Sequence, residues 1–314
     1  MKIKRIAPSP FIKDVLLTTV TSGLTILSTL IVMRLLAQGL GTDGFGAYSL
    51  ARRFLAVVSP FSTFAIGVGL ARFIAISKDN TERDGYLLSG LLIGVIPSFI
   101  VLVFGLIFKD RLTVLIFRYD VYASLFGATL FMIVGYSFYN VLYSYYRGLG
   151  KMVKANLWQL AVIAVGPLAI TFKYAISKEL DLIVFLMGVC FLSSSLPLIF
   201  YSLKAIFQNK QSLEIKPYLK ELFNYSLPRV PGGLALTGIF SIGPFLATYF
   251  GSLKDAGYLV VGLSVFSVID NAVIAFGIVA LPKVTHLFKE GRGDFLEKRV
   301  TDIVSMILHM GMFA

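Results

Sequence analysis

The sequence predicts an all-α polytopic membrane protein in which a six-span unit is followed by the start of a second copy. Three observations predict it. Of 314 residues, 57% are hydrophobic and 15% charged, with mean hydropathy +0.82, whereas a soluble domain is about 25% charged. The apolar residues gather into runs of ~20, the length that crosses a bilayer. A sparse pattern also returns at a fixed offset without a gap. Gly23-Leu24 recurs as Gly233-Leu234, Leu36-Ala37 as Leu246-Ala247, Gly41 as Gly251, Tyr48 as Tyr258, Ala65 as Ala275 and Gly67 as Gly277. Internal repeats of membrane spans are a transporter signature.

Eight complete spans are expected, over roughly 14–36, 47–71, 86–108, 121–143, 156–173, 182–206, 227–250 and 257–281. A ninth begins near Val300 and is still running at Ala314. The expected layout is a six-helix bundle over 1–207, a cytoplasmic amphipathic linker over 208–226, and the start of a second bundle over 227–314. Since the second unit stops partway, the chain is expected to be part of a longer protein with at least twelve spans.

The net charge of +12 does not point to nucleic acid, because Lys and Arg follow topology. With the N-terminus in the cytoplasm, twenty fall in inside segments and six in outside loops, while Arg34, Arg52 and Arg53 sit within spans near their outer ends. The positive-inside rule then orients the chain with its N-terminus and linker in the cytoplasm. Cys190 is the one cysteine, so no disulfide forms within the chain. His286 and His309 have no ligand-spaced partners, so no metal site is read. The apolar run after MKIKRIAPSPFIK is too long for a cleaved signal core and is read as a retained span.

In span one, Thr18, Ser22, Thr25 and Thr29 lie on one helical stripe. Such hydroxyls either bond their own backbone at a helix–helix contact or line a hydrated cavity. The stretch 34–53 follows, with a glycine-rich turn of Gly39, Gly41, Gly44 and Gly46 at its centre. In span two, Ser49, Arg52, Ser59 and Thr63 share a face, and Pro60 is expected to kink the helix. A charge inside a span costs roughly 3 kcal/mol and so tends to face a cavity, or else snorkels to the headgroups. Arg53, on another face, fits snorkelling. The segment 72–85 reads as a short cytoplasmic loop, and KDRLTVLIFRYD as a surface segment on the outer side.

Span four ends in Tyr136, Phe138, Tyr139, Tyr143, Tyr145 and Tyr146, either an interfacial aromatic belt or a contact surface for sugar or lipid. Trp158 is read as an anchor at the same interface. The linker pattern Leu213, Ile215, Tyr218, Leu219, Leu222 and Phe223 suits an interfacial helix. Span seven opens with Pro228, Pro231, Gly232 and Gly233, which loosen a helix start and point to a binding cavity. Asp270 lies near the centre of span eight, followed by Asn271. An ionisable group at that depth suggests function, the alternative being an ion pair with a neighbouring helix.

The turn GLGTDGFGAYSLA, the later YYRGLGKMVKAN, and PFLATYFGSLKDAGYLVV followed by ALPKVTHLF resemble the oligosaccharide flippases of polysaccharide biosynthesis. These belong to the multidrug/oligosaccharidyl-lipid/polysaccharide exporter superfamily, and the resemblance covers nearly the whole chain. It implies two six-helix bundles in a V and alternating access. It also implies movement of an undecaprenyl- or dolichyl-diphosphate-linked oligosaccharide from the inner to the outer leaflet of the plasma membrane. A polysaccharide polymerase or glycosyltransferases would be the protein partners, beside the lipid bilayer.

No P-loop, nucleophile–base pair or paired carboxylates suggest an enzyme. A cation-coupled multidrug antiporter of the same superfamily and a non-transporting scaffold remain as alternatives. Charge separates them: a diphosphate calls for arginines, a cationic drug for buried carboxylates. Spans one to six read as free of a central Asp or Glu, with Asp14 and Asp120 at span edges. The expected substrate-binding residues are Arg52, Arg34, Arg229, Thr25 and Thr63. Asp270 and Asn271 are the expected site for a coupling proton or sodium ion, and no other cofactor is implied.

Overall fold

A computed structural model describes residues 10–264, apart from 176 and 209–214, together with 266. The chain divides into two compact units, the larger being Val20–Ser264. The smaller comprises Met1–Thr19 and Val265–Ala314. Of the smaller, residues 10–19 are helical, and the Thr18 hydroxyl donates to the Asp14 carbonyl at 2.8 Å. Asp270 and Asn271 lie outside the described residues.

Every described element is a helix, and six are long and apolar enough to cross a membrane, which makes the chain a multi-pass membrane protein. The first, α1 (Pro10–Ser62), is two arms joined at Gly41, whose φ of 72° no β-carbon residue adopts cheaply. The glycine-rich turn expected over Gly39, Gly41, Gly44 and Gly46 is therefore a one-residue break, and residues 45–50 beyond it are all buried.

Span two does not merely kink at Pro60. The helix ends at Ser62, Phe64 and Ala65 take left-handed φ of 50° and 47°, and α2 (Ile66–Ile76) restarts. Proline supplies no N–H to the Ala56 carbonyl four residues back. The Ser59 hydroxyl donates to that carbonyl instead, at 2.9 Å. The Ala65 N–H then reaches the Pro60 carbonyl across the break at 2.9 Å, so the interrupted backbone stays paired.

α3 (Asn80–Ile107) starts six residues earlier than the expected span. Asp79 is its cap, accepting from the Glu82 N–H at 2.8 Å, while the Glu82 carboxylate accepts from the Lys78 N–H at 2.8 Å. This is a reciprocal cap displaced by one residue from the usual box. α4 (Lys109–Phe117) is no loose surface segment: Thr113, Ile116 and Phe117 are buried. Arg118, just past it, donates to the carbonyls of Gly251 at 3.0 Å and Thr248 at 3.5 Å. Those carbonyls close α10 (Arg229–Phe250), where a cation complements the helix dipole.

α5 (Ala123–Gly148) is central and packs against α2, α3, α4 and α8 (Leu180–Gln208). Small residues permit it. A β-carbon on Gly135 would lie 2.5 Å from the Gly188 carbonyl oxygen, so the two backbones nearly touch. α6 (Met152–Gln159) passes through a π-helical turn, Leu160–Val165, into α7 (Gly166–Tyr174). The Ser28 hydroxyl of α1 donates into this turn, to Ala164 O at 2.8 Å. Pro167 follows at once, and π turns recur where the regular ladder is interrupted.

α9 (Ile215–Ser226) is the amphipathic helix expected in the linker. Its apolar side is turned toward protein: Leu222 is fully buried, and Tyr218 covers Gly85 of α3. α10 runs regularly from its first residue, not loosened as expected. Pro231 sits in the first turn, where its missing N–H has no intrahelical acceptor to serve. α11 covers residues 253–264.

Buried side chains form two cores. One joins the second arm of α1 to α4, α5 and α8 through Tyr48, Phe117, Phe126 and Ile183. The other joins α2, α3, α5 and α9 through Leu70, Phe73, Leu142 and Leu222. Trp158 packs against both, so it is shared between cores and not only an interface anchor.

Candidate functional site

Arg52 lies eleven residues past Gly41, on the second arm of α1. Its side chain is half-buried where α1 packs on α5 and α8. Nη1 donates to the Tyr48 hydroxyl one turn back at 3.3 Å, and that hydroxyl points on to Met187 Sδ at 4.0 Å. Tyr48 is 1% exposed, so its ring is a fixed wall. Tyr136, hydrogen-bonded to Asn140, adds a second hydroxyl within electrostatic reach of the guanidinium. Among the described residues no carboxylate pairs with Arg52. Ser49, on the same face, is buried, and its hydroxyl has no partner among the described residues.

From Tyr136 a ladder of rings runs along α5. Tyr136 and Tyr139 are 6.2 Å apart between centroids, and Tyr139 stacks on Tyr143 at 5.9 Å. Tyr143 donates to Gln159 Oε1 at 3.1 Å, and Arg147 stands over its ring at 5.5 Å. Tyr139 and Tyr145 are buried, so this part of the cluster is bundle interior and not an interfacial belt.

The other expected residues do not converge on Arg52. Thr63 is buried with its hydroxyl on the Ser59 carbonyl at 2.7 Å, and half-buried Thr25 bonds the Thr21 carbonyl at 2.8 Å. Both follow the backbone-bonded reading of membrane hydroxyls. The buried face of the first arm is Thr21, Ser28, Val32 and Leu36, beside the expected stripe. Arg34 is exposed on that arm. Arg229 is exposed at the head of α10, donating to the Tyr225 carbonyl and standing 3.7 Å from the Tyr225 ring centroid.

One acidic residue was missed. Asp84 is buried inside the first turns of α3 and accepts from the Tyr201 hydroxyl of α8 at 3.1 Å. Tyr145 of α5 joins Tyr201 there. Close by, the Tyr86 hydroxyl donates to Glu221 of α9 at 2.5 Å. The cap signal Asp79-Asn80-Thr81-Glu82 marks the early helix start and so the placement of Asp84 inside a helix. The pairing with Tyr201 has no local signal.

A family model described as polysaccharide biosynthesis protein matches residues 11–288. Among solved structures, the chain is similar to a MATE multidrug transporter, DinF-BH, solved in complex with a ligand. The TM-score is 0.62 at 13% identity, over 88% of this chain and 63% of that one. This likeness is one of fold, and the chain spans 63% of that protein's length. No curated protein matches the sequence.

Proposed function

Because the chain belongs to the polysaccharide biosynthesis protein family, we propose that it is a membrane transporter, not an enzyme, that moves a lipid-diphosphate-linked oligosaccharide across the plasma membrane. The carrying observation is Arg52: a half-buried guanidinium within an apolar run, with one bond to a neutral hydroxyl and no carboxylate among the described residues. A charge held inside an apolar span without a counter-ion is disfavoured. An anion that arrives and leaves supplies that counter-ion for part of a cycle, and the planar fork suits a diphosphate. Arg34, Arg229, Thr25 and Thr63 stay proposed as further substrate contacts. Alternating access follows if the open states bind that anion unequally. Asp270 and Asn271 stay proposed as the site for a coupling proton or sodium ion. A polysaccharide polymerase or glycosyltransferases would act on either side of the step.

The test is complementation of a flippase-deficient strain at matched expression. Arg52→Ala should fail, and Arg52→Lys should fall short, because a point charge replaces a fork. Full complementation by Arg52→Ala overturns the reading.

Asp84 favours a second reading, a cation-coupled drug antiporter, since a buried carboxylate suits a cation and the solved neighbour is described as a multidrug transporter. Drug resistance conferred by the wild type and lost in Asp84→Asn would support it over the flippase.

A further inference from the structure

We infer that Arg72, Tyr225 and Arg229 form a receiving site for a lipid-borne phosphate or diphosphate at the end of the bundle that carries α9. Arg72 lies in the last turns of α2 and Arg229 heads α10. Both guanidiniums stand over the same ring, at 5.0 Å and 3.7 Å from the Tyr225 centroid. Both are exposed, and the ring between them is half-buried.

The ring is a firm platform. Its edge packs on Gly69, where a β-carbon would meet Tyr225 Cδ1 at 3.0 Å. Phe73 meets it edge-on at 5.4 Å, and buried Leu222 holds α9 down one turn earlier. The Arg72 hydrogen bond, helped by the charges of both arginines, holds the Tyr225 phenol below the ordinary tyrosine range.

Two like charges sharing one ring repel, and no carboxylate among the described residues neutralises either. The nearest acid along α9, Glu221, is bonded to Tyr86. An anion bridging both forks resolves the repulsion, and phosphate oxygens match guanidinium geometry.

The rim argues that the anion is carried on a lipid. Ile76, one turn past Arg72 on α2, and Leu227, between Tyr225 and Arg229, are exposed at 61% and 45%. A site for a free phosphate needs no apolar border, whereas a headgroup site at a membrane surface does. Two lipids carry this chemistry: the polyprenyl diphosphate of the proposed substrate, where the inference rests on the transport reading, and the bulk anionic phospholipid of the leaflet.

The test uses the full chain in phosphatidylcholine nanodiscs, titrated with farnesyl diphosphate, farnesol and pyrophosphate. Farnesyl diphosphate should bind and farnesol should not. Arg72→Gln and Arg229→Gln should each weaken binding about tenfold, as for loss of a charge-assisted hydrogen bond. Tyr225→Phe, which keeps the ring, should retain binding, and Tyr225→Ala should lose it. Unchanged affinity in both arginine variants overturns the site, as does pyrophosphate binding as tightly as farnesyl diphosphate. Displacement by phosphatidylglycerol names bulk lipid as the occupant, and resistance to it names the diphosphate substrate; either supports a lipid-borne phosphate. Arg52→Ala separates the two proposals. If it transports normally while binding still depends on Arg72 and Arg229, the transport reading falls and the receiving site stands. The reverse pair of results removes the site alone.

Discussion

Gly46 and Leu253 are in backbone contact: a β-carbon on Gly46 would lie 2.0 Å from the Leu253 carbonyl oxygen. Gly257 completes the junction, with the Gly46 Cα 3.5 Å from its own would-be β-carbon. Ala47 and Ala256 beside them are fully buried. The start of the second arm of α1 and the start of α11 thus meet through residues with little or no side chain. Arg118 ties the adjoining end of α10 to the same region.

Gly46→Ala must therefore push backbone from backbone. It should destabilise the protein by roughly 1–3 kcal/mol, the usual penalty of overpacking. Gly232 is the control, since a β-carbon there meets nothing within 4 Å in α10. Gly232→Ala should be neutral or stabilising by about 0.5–1 kcal/mol, because a helical alanine loses less backbone entropy than glycine. Thermal unfolding in detergent compares the two. Equal melting temperatures would remove the argument for contact at Gly46.

The Ser59–Pro60 arrangement makes a separable prediction. Ser59→Ala should cost about 0.5–1.5 kcal/mol, because the Ala56 carbonyl then has neither an N–H nor a hydroxyl donor. In a Pro60→Ala background the restored backbone N–H can serve that carbonyl, and the cost of Ser59→Ala should shrink. A double-mutant cycle on thermal or denaturant unfolding reads the coupling. Zero coupling would mean that the hydroxyl does not replace the missing amide.

Orientation follows from the basic residues and is open to direct test. Thr42, exposed beside Gly41, and Lys216, exposed on α9, lie on opposite sides of the membrane if the positive-inside rule holds. In a Cys190→Ser background, which leaves no other thiol, Thr42→Cys should react with an impermeant maleimide on intact cells. Lys216→Cys should react only after lysis. Labelling of the α9 site from outside would invert the topology and move the receiving site to the outer leaflet.

Several features were readable along the chain because their causes are local. Apolar runs show which segments leave water, so the spans now in α1, α3, α5, α8 and α10 fell close to their observed ranges. The α9 pattern showed an amphipathic helix, and Arg52 stood out as a charge inside an apolar run. Hydropathy, however, scores transfer to an apolar medium and does not distinguish lipid from protein. It could not show that Tyr139 faces the bundle interior or that the apolar side of α9 packs on protein.

What tertiary structure decided are the partnerships across long separations. Asp84 looked like a loop carboxylate until Tyr201, 117 residues on, was found bonded to it. Arg72 and Arg229 were legible as arginines at span ends suited to an anion, but that both stand over the Tyr225 ring is set by packing alone. The break after Pro60 shows the same division. The proline announced a disturbed helix, but the left-handed pair Phe64–Ala65 depends on where Ile66 and Leu70 can bury against α3 and α5. A residue's type and spacing set what its side chain is able to bind. Which group it binds is set by packing, because only the folded chain brings distant partners within the few ångströms over which hydrogen bonds and stacking act.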